Sequence, residues 1–301
     1  MDMKKPGKSK IAVVVHGGCG AVASAAERRK RNAICQGAAE AAYRVLREGG
    51  SSLDAVERAV CVCEDSGILN AGRGGFLQAD GVRRSDCSIM ADDRRAGSVV
   101  QVPLLRNPIR LARYILEQRA HVMLSGTQAL ELALRLGHEI HAGAAPGKIE
   151  YWQEHMNEAV RALDYAKMAT QWRESQRHRV GTVGAVALDA RGHIAAATST
   201  GGLGQCYPGR VGDSAVIGAG TYATGRVGVS MTGAGEHILV QLSARTLCDR
   251  VGEGMLLDGA AGSVIEDLGK AGAFAGLIAL DRSGEIVAVK NTEFMAVGRC
   301  A

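Results

Sequence analysis

Thr182 follows Gly181 and heads the apolar run Thr182 to Asp189, directly after a polar stretch. A threonine hydroxyl is a poor nucleophile without a base at hand. A chain break between Gly181 and Thr182 would supply one, because the freed α-amine titrates at about pH 7.7–8.0 and sits on the nucleophile's own Cα. Gly181 accepts backbone conformations that other residues resist, so the peptide ahead of the threonine could be strained toward attack by its hydroxyl. On the tripeptide alone, Thr182 reads as an ordinary β-branched strand residue. Arg210 and Asp213 place opposite charges three residues apart, and alone they read as a surface pair. Thr232-Gly233-Ala234-Gly235-Glu236 alone reads as a turn entering a helix, and Asn70 as a loop asparagine.

Several other chemistries are excluded by spacing. Gly218-Ala219-Gly220 and Gly201-Gly202-Leu203-Gly204 do not form G-x-G-x-x-G between a strand and a helix, and there is no Walker A. The eight cysteines (19, 35, 61, 63, 87, 206, 248 and 300) contain no C-x-x-C, and Cys61–Cys63 is too tight for a zinc knuckle. Reduced thiols of a cytoplasmic protein are expected. The net charge of +5 is mild, and the basic runs (Lys4, Lys5, Lys8 and Lys10; Arg28 to Arg31) lack interleaved aromatics, which argues against nucleic acid. Ile11 to Val15 is too short for a secretory core or a membrane span, so a soluble cytoplasmic protein is expected.

These residues need a scaffold, and 301 residues at 47% hydrophobic suffice for a sizeable core. Forty glycines against five prolines suggest a folded α/β chain with tight turns and close-packed backbone. Ile11 to Val15 predicts a buried strand running into a glycine loop at His16-Gly17-Gly18. Ile34, Ala38, Ala41, Ala42, Val45 and Leu46 mark a helix closed by Gly49-Gly50. Ser51 with Asp54 predicts a capping box for the next helix, and Asn107-Pro108 an N-cap and first-turn proline for Ile109 to Leu116. Leu130 to Leu136 and Glu236 to Val251 read as further helices. The segment from about 144 to 181 reads as an exposed, mobile connector with at most a weak helix, where a chain break is tolerated. After it come two hairpins, Thr182 to Thr200 and Gly276 to Val289, sharing A-L-D-x-x-G-x-I and apolar enough to be buried on both faces. The expected architecture is helices sandwiching two stacked sheets.

The ordered blocks Gly181-Thr182-Val183-Gly184-Ala185-Val186-Ala187-Leu188-Asp189, Thr198-Ser199-Thr200-Gly201-Gly202, Gly209-Arg210-Val211-Gly212-Asp213-Ser214 and Thr232-Gly233-Ala234-Gly235-Glu236 closely resemble the plant-type asparaginases, or isoaspartyl peptidases, of the N-terminal-nucleophile hydrolases. His16-Gly17-Gly18-Cys19-Gly20, Leu69 to Gly74, Ser88-Ile89-Met90 and Arg106-Asn107-Pro108 extend the likeness from about Ile11 to Thr292. The resemblance implies an α+β, four-layer αββα sandwich. It implies cleavage at Gly181–Thr182 into a 1–181 α-subunit and a 182–301 β-subunit forming one structural domain, and a dimer of cleaved αβ units. It also implies hydrolysis of β-aspartyl dipeptides and asparagine, without a required cofactor.

By the same resemblance Thr182 is the nucleophile with Thr200 beside it, and Asn70 steadies it from the α-subunit side. Thr232 and Gly233 form the oxyanion hole. Arg210 clamps the substrate α-carboxylate as a planar fork, and Asp213 with the Gly235 backbone holds the α-ammonium. In relatives, backbone carbonyls of the segment matching Cys63 to Arg73 hold a structural sodium, which leaves no side-chain signature. Cys206, Ala275 and Phe294 depart from the family pattern. A cysteine in place of a lysine at 206 would ease binding of basic leaving groups if it faced the substrate, and would do nothing if it pointed inward. A glycosylasparaginase-like amidase and an unprocessed, inactive homologue acting as a binding protein are the competing readings.

Overall fold

The computed structural model describes residues 10–21, 24–175 and 181–301, without the side chains of 172–175. The polar run Arg173 to Arg179 and Lys4, Lys5 and Lys8 therefore lie wholly or largely outside the described residues.

The first sheet has seven strands in the order β11 (Phe294–Cys300), β1 (Ala12–Gly20), β5 (Val183–Leu188), β6 (Ile194–Thr200), β2 (Arg84–Ala91), β3 (Ala96–Pro103) and β4 (Met123–Ser125). Its pairings are antiparallel except β3 with β4. The second sheet runs β10 (Ile286–Lys290), β9 (Ala275–Asp281), β8 (Val227–Gly233) and β7 (Thr221–Ala223), antiparallel throughout.

Period-two alternation decides what each strand face meets. Val13 and Val15 of β1, Val183, Ala185 and Ala187 of β5, and Ala195 and Ala197 of β6 join the core beneath α1 (Ala25–Arg47), α2 (Ser52–Asp65), α3 (Pro108–Gln118) and α4 (Gly126–Arg135). Ala12, Val14, Val186, Leu188, Ile194 and Ala196 point the other way and meet Ile278 and Leu280 of β9 between the sheets. Beyond the second sheet lie α8 (Gly235–Gln241), α9 (Ser243–Gly252) and α10 (Leu257–Lys270), which pack Ile238, Leu247, Val264 and Leu268 onto Val229, Met231 and Leu277. Four layers result, helix–sheet–sheet–helix, the αββα sandwich expected. Small residues in β5 and β6 let the layers approach closely.

The capping box at Ser51 is present in both directions, with the Ser51 hydroxyl accepting from Asp54 N and Asp54 Oδ2 accepting from Ser51 N at 2.9 Å. The second basic run lies on α1, where Arg31 pairs with Glu27 and Arg28 with Glu293.

Five local expectations are corrected. His16 to Gly20 is not a loop but the second half of β1, paired with β11 across a bulge between His16 and Cys19. The Asn107 side chain does not cap α3; its amide is drawn to the buried Glu64 carboxyl at 3.2 Å. The helix from Glu236 breaks at Leu242, which takes a left-handed φ of 47°, because the N–H groups of Ala244 and Arg245 at the start of α9 donate to Ala219 and Gly218 carbonyls. Strand β10 is an edge with only Val287 buried, not a strand covered on both faces.

The fifth is the segment from about 144. Its described part folds into α5 (Pro146–Glu154), α6 (Glu158–Arg161) and α7 (Tyr165–Ser175). Trp152 Nε1 donates to Gln78 O at 2.9 Å, Gln205 donates to Trp152 O at 2.7 Å, and the Tyr151 ring packs on Phe76. Val160 and Met168 bury against Ala79. The described part of the segment is therefore a helical cover anchored by aromatics.

Candidate active site

Val183 pairs with Ser199, so the next register position sets Thr182 opposite Thr200 at the ends of β5 and β6. Both share the parity of residues facing the second sheet. Thr182 is 6% exposed, and its hydroxyl donates to Thr200 Oγ1 at 3.3 Å. Thr200 Oγ1 in turn donates to the Gly181 carbonyl at 3.0 Å. Asn70 Nδ2 reaches the same carbonyl at 2.6 Å and the Gly202 carbonyl at 2.7 Å. Two donors thus converge on the oxygen of the peptide bond that precedes Thr182. Asn70 is itself fixed, since Phe76 N donates to its Oδ1 at 3.0 Å and Gly201 N to its backbone oxygen at 3.1 Å.

Gly18 covers the junction from the other side. Its φ is +93°, and a Cβ there would stand 2.9 Å from Gly181 Cα and 3.0 Å from Thr182 N. Only glycine lets the β1 backbone come so close. Next to it, the Cys19 thiol donates to the Thr232 carbonyl at 3.5 Å, which ties this junction to the end of β8. Below the junction a chain of buried hydroxyls crosses between the sheets. His16 Nε2 meets Ser230 Oγ at 2.9 Å, Ser230 meets Thr198 at 2.6 Å, and Thr221 donates to Thr198 at 2.6 Å. Ser88 continues the chain to Thr221 at 2.9 Å and to the Ser214 carbonyl at 2.7 Å. Burial lowers the His16 pKa to about 3 against a hydrogen bond to the Thr182 backbone, so the imidazole is neutral near pH 7.

A second group gathers opposite charges. Arg210 donates through Nε to Glu236 Oε1 at 2.8 Å, and Nη2 reaches the same oxygen. Burial opposes the guanidinium charge, and the neighbouring Glu236 carboxylate upholds it. Asp213 is 5% exposed and its Oδ2 has no hydrogen-bond partner. Burial raises its pKa to about 7, although Arg210 pulls the other way. A Cβ on Gly235 would stand 2.8 Å from both Arg210 Nη2 and Asp213 Oδ1, so the β8–α8 turn is pressed onto both side chains. The Thr232 hydroxyl is fully buried and also without a partner. Buried polar atoms normally find partners, so each of these oxygens is open to a ligand that would complete it.

The family model described as Asparaginase matches residues 9–301. The chain belongs to the asparaginase family. This is a family of N-terminal-nucleophile hydrolases that need no organic cofactor, and the chain is accordingly a hydrolase. Among similar proteins, the isoaspartyl peptidase of Escherichia coli is 36% identical over 298 residues, covering 95% of this chain and 91% of that one. The human isoaspartyl peptidase/L-asparaginase is 39% identical over 282 residues, with 92% and 88% covered. The plant-type L-asparaginase of Pyrococcus horikoshii is 36% identical over 296 residues, with 95% of each covered.

Of the residues singled out in this asparaginase-family sequence, Gly181, Thr182, Thr200 and Asn70 are in direct contact, and Arg210, Asp213 and Gly235 form a second cluster. Thr232 and Gly233, at the end of β8, reach the first group through Cys19. Cys206 is 2% exposed, as buried as the site residues themselves; burial pushes its thiol up to about 11 and Arg210 pulls the other way, so it lies near the clamp.

Sequence reading quoted Gly18 and Glu236 within motifs without giving them a role, and missed the support beneath the clamp. Buried Asp86 accepts from Gln101 N at 2.8 Å and from Gly212 N at 3.4 Å, while Gln101 Nε2 donates to the Arg210 carbonyl at 2.8 Å. Gln101 takes a left-handed φ of 53° where β3 bulges against β2. Among the described residues no group of three His, Cys, Asp or Glu is arranged to hold a metal, and no helix is long and apolar enough to cross a membrane.

Proposed function

We propose that this chain is an isoaspartyl peptidase with L-asparaginase activity that matures by cutting itself between Gly181 and Thr182. The observation that carries the reading is the pair of donors, Asn70 Nδ2 and Thr200 Oγ1, on the Gly181 carbonyl, with the Thr182 hydroxyl beside them. Attack by Thr182 Oγ1 on the Gly181 carbonyl carbon would put negative charge on that oxygen, where the two donors stabilise it. The peptide C–N bond then breaks and the proton passes to the new amine. Water hydrolyses the resulting ester, leaving a Gly181 carboxylate and a free Thr182.

In turnover the Thr182 amine takes the hydroxyl proton as Oγ1 attacks the β-carbonyl of an aspartyl substrate, and delivers it to the leaving amine. The Thr232 hydroxyl and the Gly233 amide receive the oxyanion. Arg210 grips the α-carboxylate in place of Glu236, and Asp213 with Gly235 holds the α-ammonium. Water then releases L-aspartate from the acyl-threonine. In this reading 1–181 and 182–301 act as α- and β-subunits of one domain, paired into a dimer of αβ units. The names of the relatives, isoaspartyl peptidase and L-asparaginase, support this substrate class.

A denaturing gel with N-terminal sequencing tests it. Purified protein should resolve into two chains, the smaller beginning Thr-Val-Gly, and Thr182→Ala should remain single and inactive. Full activity in a chain that stays intact would defeat the mechanism and call for another base, whereas a chain that stays intact and inactive would leave a binding homologue.

A further inference from the structure

Arg83 is 1% exposed, among the largest fully buried side chains of the protein. Its neighbour Arg84 behaves as a surface residue, bonded to Asp80 at 2.8 Å. The Arg83 guanidinium instead meets four backbone carbonyls from three separate segments. Nη1 donates to Gly72 O and, at 3.4 Å, to Leu105 O; Nη2 donates to Leu104 O at 3.3 Å and to His141 O. Among the described residues no carboxylate lies within ion-pair distance, and the acidic group that acts on it through space is Glu64, whose own ionisation burial opposes. Leu104 holds a left-handed φ of 58°, unusual for leucine, at the point where its carbonyl turns to the guanidinium. A unit positive charge among convergent carbonyl oxygens is how proteins hold hard monovalent cations.

The cage adjoins the catalytic loop. Gly72 is two residues beyond Asn70, and its carbonyl also accepts from Gly75 N at 3.1 Å. A Cβ on Gly75 would lie 3.3 Å from Arg83 Cδ and 3.2 Å from Gly201 Cα, so the arginine stem backs the turn that supports Thr200 and Asn70. The segment Cys63 to Arg73, where a structural sodium was expected, does not fit a second cation well. Cys63 O accepts from Ser66 N and Ser66 Oγ, Leu69 O from Ala71 N, Ala71 O from Gly74 N, and Gly72 O from Gly75 N and Arg83. A sodium ion drawn to the Gly72 carbonyl would sit beside a buried guanidinium, with little solvent to screen the repulsion.

We propose that Arg83 is a tethered cation that holds the Asn70 loop in place, doing in this chain what a bound alkali-metal ion would do, and so is a positioning residue for Asn70. The part concerning Asn70 rests on the function proposed above; the cation part does not. Arg83 touches no reacting atom and acts by keeping Asn70 Nδ2 aimed at the nucleophile end of β5. Lysine keeps the charge but cannot fork to four carbonyls, and methionine keeps the stem and loses the charge.

The test has two arms on the whole protein. In the first, melting temperatures are compared in sodium chloride and in choline chloride at equal ionic strength. Wild type should melt identically in both, whereas Arg83→Met should melt lower and regain part of the loss in sodium alone. A sodium-specific rise in wild-type Tm would show that the loop holds an ion and overturn the proposal. The second arm is kinetic. Arg83→Met should lose on the order of 10–100-fold in kcat with little change in KM, because the clamp at Arg210 is untouched, and Arg83→Lys should recover part of it. Folded Arg83→Met with wild-type kcat would refute the positioning role. If the methionine variant does not fold, Arg83→Lys decides: its Tm should fall and its kcat drop without a KM change, and wild-type values in both would refute. Should wild type prove inactive on aspartyl substrates, the melting arm still judges the cation claim, while the proposed function alone fails.

Discussion

Asp213 offers a prediction that can be worked through numerically. Burial raises its pKa from 3.8 to about 7, with Arg210 opposing, and Oδ2 is left without a partner. A rise of about three in pKa corresponds to roughly 4 kcal/mol by which burial disfavours the carboxylate. An α-ammonium seated against Asp213 should restore the charge, so binding at acidic pH must expel the aspartic proton. With a pKa of about 7, about 0.9 proton should leave per L-aspartate bound at pH 6, and about 0.1 at pH 8. Titration calorimetry in two buffers of equal pH and different ionisation enthalpy reads this number directly. Asp213→Asn should abolish the pH-dependent release and weaken binding. The same ionisation should make kcat/KM rise through about pH 7. Stability follows with a fixed sign. The folded state holds this proton more tightly than the unfolded chain, so Asp213 costs stability progressively between about pH 4 and 7. Ligand-free Asp213→Asn should therefore melt above wild type at pH 8. Equal proton release at pH 6 and 8, or an unchanged kcat/KM slope in Asp213→Asn, would refute the reasoning.

Three further outcomes are expected. Thr232→Val removes a buried hydroxyl with no partner, so it should leave Tm unchanged or raised while lowering kcat by about 10²–10³-fold; a matched loss of both would mean that the hydroxyl is structural. Glu236→Gln frees the Arg210 fork from an ion pair whose carboxylate partner is 51% exposed, so KM should fall, by no more than the about 1 kcal/mol, roughly fivefold, typical of such pairs; a rise in KM would count against Glu236 as a stand-in for substrate. Gly18→Ala puts a methyl 2.9 Å from Gly181 Cα at a φ of +93°, and self-cleavage followed by gel should slow by about tenfold or more; an unchanged time course would mean that β1 yields freely.

The sandwich was legible because runs such as Val183 to Leu188 and Gly276 to Leu280 are apolar on both faces and so need a layer on each side, and the Ser51–Asp54 box sits where it was expected. What escaped was decided by partners distant in sequence. Nothing around Asn107 reveals that Glu64 will take its amide from the helix it precedes. Leu242 breaks a continuous helical pattern because carbonyls at 218 and 219 compete for the next amides. The glycines after His16 read as a loop, yet β11, far away in the chain, pairs with them as a strand. Nucleophile and clamp residues were visible as motifs. Gly18, Asp86 and Arg83 act through where the fold puts them, and Arg83 and Arg84 are identical letters with opposite fates.

The strand order carries a consequence for the life history of the molecule. Along the large sheet, β11, β5 and β6 come from beyond residue 182, while β1, β2, β3 and β4 come from before it. A cut at Gly181–Thr182 would leave three strand pairings, β11 with β1, β1 with β5 and β6 with β2, as the seams between the pieces. Severing the backbone would thus break no ladder, and the pieces would stay interleaved like clasped fingers. The loss would come on unfolding. Before the cut, β1 finds β5 as an intramolecular event; afterwards two separate chains must meet, so recovery depends on concentration and competes with aggregation. Such a protein folds once, as a precursor, and its working lifetime is then set by how slowly it comes apart.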